Sequence, residues 1–242
     1  MQNWSDPQAT ASPAVSVGVP RAARDAGLRS YMLGVYNTMA SGVLLTGIVA
    51  LALAATGVAA SLFAHPILRW VALFAPLIMI MVMGFKAQNM SAAGMRTFFY
   101  AFAAVMGVSM SVIPLIYSGT SIATTFFATA VAFLSLSLYG YTTKKDLSGL
   151  GTFLIMGVVG LIVVMIANIF IQSTALSMAI SAIGVLLFAG LTAYDTQKIK
   201  SVYAQVAGSD MLGKAVIMGA LTLYLDFINM FQFLLSFMGN RD

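Results

Sequence analysis

Between Gly149 and Phe170 the chain reads "GLGTFLIMGVVGLIVVMIANIF", without one charged side chain. About 20 apolar residues are enough to cross the hydrocarbon of a bilayer as a helix. A helix that is hydrophobic all round needs either a large protein core or lipid around it. Six further runs are long enough to cross, near residues 31–60, 69–90, 96–117, 121–143, 176–200 and 213–238. Only 8% of the residues are charged and 60% are hydrophobic, whereas a soluble domain carries about 25% charged residues. The sequence therefore predicts an all-α membrane protein, a bundle of seven transmembrane helices.

Residues 1–28 are polar, rich in Ala, Ser and Pro, and lack hydrophobic periodicity. They are expected to form a disordered tail, with residues 29–242 as the membrane domain. No short apolar region precedes a cleavage site, so this tail does not read as a signal peptide. Pro76 and Pro114 fall inside the second and third spans, where a proline frees a backbone carbonyl and usually kinks the helix. The short link "YSGTS" predicts a tight hairpin between the third and fourth spans.

Orientation follows from the loops. With the N-terminus in the cytoplasm, that side holds ten Lys and Arg residues and the opposite side only Arg69 and Arg241, as the positive-inside rule requires. The C-terminus then lies outside if the last span crosses fully, or inside if it is re-entrant. The net charge of +5 is thus a membrane signature rather than a nucleic-acid one.

Against this apolar background two carboxylates stand out. Asp226 sits near the centre of the last span, where a charge costs about 2.5–3.5 kcal/mol on insertion scales and by default faces the bundle interior. Thr222 at i−4 and Asn229 at i+3 extend it into a polar stripe; Thr192 on the sixth span joins this set. Asp195 lies near the end of the sixth span, with Lys198 at i+3 as a ready partner. Consecutive spans tend to be neighbours, so the two aspartates are candidates to meet and share a proton as a pH-sensing pair. Depth is the obstacle. If the helices end near their lysines, a rise of 1.5 Å per residue leaves the two acids about 13 Å apart along the membrane normal.

At this point the chain resembles a known family. "LYLDFIN" (Leu223–Asn229), "AYDTQKIK" (Ala193–Lys200), "KKDLS" (Lys144–Ser148) and "VYNTMASGVLLTG" (Val35–Gly47) are similar to elements of the Bax inhibitor-1, or transmembrane Bax-inhibitor-motif, family. The resemblance runs from about Leu28 to Met238. It implies a seven-helix bundle whose last helix is central, and a pH-sensitive calcium leak with Asp195 and Asp226 as the pH element. It also implies a bacterial inner-membrane location. Some members carry arginines at the end of the second helix, one of which can reach the aspartates. Here Lys86 is the only cation in that place, and lysine is no bidentate substitute.

Two function classes follow. One is an ion leak gated by Asp195 and Asp226, with Ca²⁺ held transiently between them, since Ca²⁺ prefers oxygen ligands. The other is a membrane interaction protein that modulates a quality-control protease or a stress response, without conductance. The chain is not read as an enzyme, and neither a resident cofactor nor nucleic-acid binding is expected. An intramembrane aspartyl protease would need Gly-x-Gly before the second aspartate, where this chain has Leu223-Tyr224-Leu225. The chain has no cysteine, and its single histidine, His65, stands beside Pro66 in a loop, too isolated for a zinc site.

Overall fold

The computed structural model describes residues 21–240. Among these residues nine α-helices follow one another: α1 (Arg21–Ala55), α2 (Val58–Ala64), α3 (Leu68–Lys86), α4 (Ala92–Met110), α5 (Ile113–Ile116), α6 (Gly119–Thr142), α7 (Ser148–Ile171), α8 (Thr174–Val206) and α9 (Leu212–Met238). Seven segments are long and apolar enough to cross a membrane, in the positions the apolar runs predict.

The helix boundaries have local causes. Residues 21–28, which composition assigns to the tail, are the opening turns of α1; extending an existing helix adds a bond per residue without a new nucleus. The remainder of the expected tail lies outside the described residues. The first span ends at Ala55, before the run 31–60 does, because Gly57 adopts φ 73° and separates α1 from α2. His65 Nδ1 accepts the backbone N–H groups of Ile67 (3.3 Å) and Leu68 (3.4 Å), so the lone histidine serves the entry into α3. Ser91, Ser118 and Ser173 cap α4, α6 and α8, each accepting an N–H three residues on.

The two span prolines behave differently. Pro76 is buried inside α3, which continues to Lys86. Pro114 lies in the first turn of the separate α5, after α4 has ended at Met110. A proline is tolerated in a first turn because no N–H is needed there.

The central helix is α9, the most buried of the seven spans. It packs against α1, α4, α6 and α8, while α3 packs chiefly on α4 and α7 on α8. The outer faces are apolar: Met156 and Phe170 of α7 are 70% and 82% exposed, as side chains facing lipid should be. α9 is unbroken, and beyond its end the carbonyl of Asn240 accepts the N–H of Ser118 at the α5–α6 turn. The last helix therefore runs the full length of the bundle rather than turning back.

Candidate functional site

The carboxyl groups of Asp195 on α8 and Asp226 on α9 are hydrogen-bonded to each other. Asp226 is 4% exposed and Asp195 is half-buried. The depth obstacle disappears because α8 does not end near Lys198 and Lys200. Asp195 lies eleven residues before Val206 and Asp226 fourteen residues after Leu212. At 1.5 Å per residue these are about 16 and 21 Å from the helix ends, a mismatch of about 5 Å that a slight offset absorbs. Close approach of the two helices is helped at Gly184 of α8, where any Cβ would overlap the Phe233 ring of α9.

Two carboxyl groups can hydrogen-bond to each other only when one of them carries a proton. Oδ2 of Asp226 is buried, and apart from the Asp195 carboxyl no donor among the described residues reaches it. The charge that acts on Asp195 is that of Lys198, whose Nζ lies 5.8 Å from the centroid of the Tyr194 ring. Lys86 is exposed in the last turn of α3. Two acids alone do not make a resident metal cage, and no cluster of three His, Cys, Asp or Glu side chains occurs among the described residues.

The other polar residues of the stripe bond to their own helices. Thr222 Oγ1 donates to the Met218 carbonyl (3.1 Å), Asn229 Nδ2 to that of Leu225 (2.8 Å) and buried Thr192 Oγ1 to that of Phe188 (2.8 Å). Thr222 and Asn229 line a cavity together with Asp226, and Ser109 and Gln232 join them there. Gln232 lies at i+3 from Asn229, so the helical spacing that reveals the stripe also extends to it. Ser109 carries no such signal, since its place depends on how α4 meets α9.

The four stretches that carry the family resemblance converge on this region. Thr46 Oγ1 lies 2.6 Å from the Tyr224 hydroxyl, joining α1 to α9 two residues before Asp226. Tyr224 is fully buried, with the rings of Phe99 and Phe102 packed edge-on against it. Gln197, two residues after Asp195, accepts the N–H of Leu147 (2.9 Å) and donates to the Lys145 carbonyl (2.8 Å), pinning the α6–α7 loop to α8. A hydroxyl chain runs from Tyr36 to Ser137 (2.6 Å) and on to Thr196 (2.9 Å), which donates to the Thr192 carbonyl (2.8 Å). It ties α1, α6 and α8 together beside Asp195.

Comparison with known proteins agrees with this convergence. Residues 28–242 match the family described as inhibitor of apoptosis-promoting Bax1. An uncharacterised protein of Caulobacter vibrioides is 46% identical, over 90% of this chain and 92% of its own length. Protein RP147 of Rickettsia prowazekii, also uncharacterised, is 46% identical with the same coverage. The inner membrane protein YbhL of Escherichia coli K12 is 43% identical over 89% of this chain and 94% of its own length. With the motif residues gathered around one buried carboxyl pair and the match spanning every membrane helix, the chain belongs to the Bax inhibitor-1 family of integral membrane proteins.

Proposed function

We propose that this protein is a pH-gated calcium leak of a bacterial inner membrane, with its N-terminus in the cytoplasm. The observation that carries the reading is the hydrogen bond between Asp195 and Asp226 across the α8–α9 seam. With one proton on the pair, the carboxyls attract and the helices stay packed. Loss of that proton leaves two like charges in a place poor in water, and their repulsion loosens the seam. Lys198, on the Asp195 side, offsets part of that repulsion but does not replace the bond. A separated pair offers carboxylate oxygens to a passing Ca²⁺, which with the Asn229 side chain and water makes a weak site suited to transit. The inner-membrane location rests on the name of the relative YbhL.

Purified protein in lipid vesicles loaded with a calcium-sensitive dye tests the reading. Ca²⁺ entry should rise as increasing pH removes the proton from the pair, and Asp226→Asn should abolish that dependence. Entry that ignores both pH and the substitution would refute it.

A further inference from the structure

A cavity of about 910 Å³ lies between α3, α4, α7 and α9, with Asp226 in its wall. Its volume falls in the range of small-molecule sites, roughly 300–1,000 Å³, which are mostly apolar with a few converging polar groups. Polar and apolar side chains both line the cavity, with Leu225, Ile228 and Leu235 of α9 among the apolar ones. Thr222, Asp226, Asn229 and Gln232 supply polar groups along α9. Leu77 and Ile80 of α3 and Ile162 of α7 form an apolar wall. Leu77 and Ile162 are 54% and 50% exposed on the lipid-facing side of the bundle, so the cavity is reached from the acyl chains rather than from water.

An acyl chain alone would leave the polar groups unmatched, and a bare metal ion would leave the apolar wall empty. Neither Lys nor Arg lines the cavity, and an aspartate pair that shares one proton carries one negative charge. Lys198 acts on Asp195 and is not part of the cavity wall. What this surface lacks is a cationic N–H donor attached to an apolar body.

We propose that the cavity between α3, α7 and α9 is a binding site for a lipophilic primary amine, its ammonium donating to Asp226 and its alkyl chain lying between α3 and α7. The amide groups of Asn229 and Gln232 accept the remaining N–H donors. In the low-polarity interior such charged hydrogen bonds are the strong kind. The site requires only the geometry of the aspartate pair and not conductance, so it stands or falls separately from the calcium leak.

The test uses the full-length protein in phosphatidylcholine nanodiscs and an alkylamine carrying a tail diazirine. After illumination, crosslinks should concentrate on residues 73–80 of α3 and 158–162 of α7. Dodecylamine should compete at least about tenfold better than dodecanol, as a charged hydrogen bond contributes about 1.5–3 kcal/mol. Dodecyltrimethylammonium, which has the charge but no N–H, should compete poorly. Asp226→Asn should remove the site-specific labelling. Should that variant fail to fold, Ile162→Trp, at the lipid-facing mouth, should reduce labelling while leaving the bundle intact. Labelling spread evenly over the lipid-facing helices, or equal competition by the alcohol and the amine, would overturn the proposal.

Discussion

Gly140 of α6 lies directly against the backbone of Ala193 on α8, so close that a Cβ at Gly140 would overlap the Ala193 carbonyl. Ala193 is two residues from Asp195. Gly140→Ala should therefore push α8 away from α6 and disturb the carboxyl pair as well as the packing. A backbone neighbour cannot rotate aside as a side chain can, so a loss of about 1–3 kcal/mol is expected from overpacking. Thermal unfolding in detergent measures it; an unchanged midpoint would show that the two helices are not in fixed contact.

Tyr224→Phe should be milder. The Thr46 hydroxyl donates to the carbonyl of Gly42 (3.0 Å) or Ala103 (2.8 Å), so the Tyr224 hydroxyl is the donor toward Thr46 Oγ1. Removing it costs one buried hydrogen bond and leaves the ring packing in place, about 1 kcal/mol. Thr46→Val removes the acceptor, and the double variant should lose less than the sum of the two single losses.

Ser137→Ala interrupts the chain from Tyr36 to Thr196. Two hydroxyl contacts disappear from the interface of α1, α6 and α8. Interhelical hydrogen bonds inside a membrane average about 0.6 kcal/mol each, so a loss of roughly 1 kcal/mol is expected, with faster amide exchange in α6 near the substitution. Full retention of both stability and protection would mean that the chain does not bind the helices together.

At the α6–α7 loop, Asp146 Oδ1 accepts the N–H (2.9 Å) and the hydroxyl (2.6 Å) of Ser148. These donors hold the Asp146 carboxyl below its ordinary range. A lowered value in the folded state means a contribution that is complete above the unfolded value and fades as pH falls through the folded one. The first turn of α7 should thus stay protected from hydrogen exchange into moderately acidic solution. Asp146→Ala should exchange faster already at neutral pH. Equal exchange rates in the two proteins would contradict this role.

The seven spans were legible because lipid demands a long apolar run for every crossing, a constraint written directly into the residues. Asp226 was legible for the converse reason, as a carboxylate where lipid tolerates few. The extension of α8 to Val206 was not. Past Lys200 the helix leaves the apolar region, and its polar turns read as a loop; the 13 Å depth mismatch arose from that single boundary. Contacts such as Thr46 with Tyr224 and Ser137 with Thr196 were hidden too. Serine, threonine and tyrosine on apolar helices often bond within their own helix, and nothing in their spacing distinguishes those that reach across.

The central claim is that one proton, shared between Asp195 and Asp226, holds the α8–α9 seam closed. A double-mutant cycle on the pH profile of Ca²⁺ entry into vesicles tests it most directly, with Asp195→Asn, Asp226→Asn and the double variant measured beside the parent protein. If the proton is shared, either single change removes the pH dependence entirely and the double variant adds nothing further. If each single variant keeps its own pH-dependent entry and the two effects add, the aspartates titrate as separate groups and the shared-proton account is wrong.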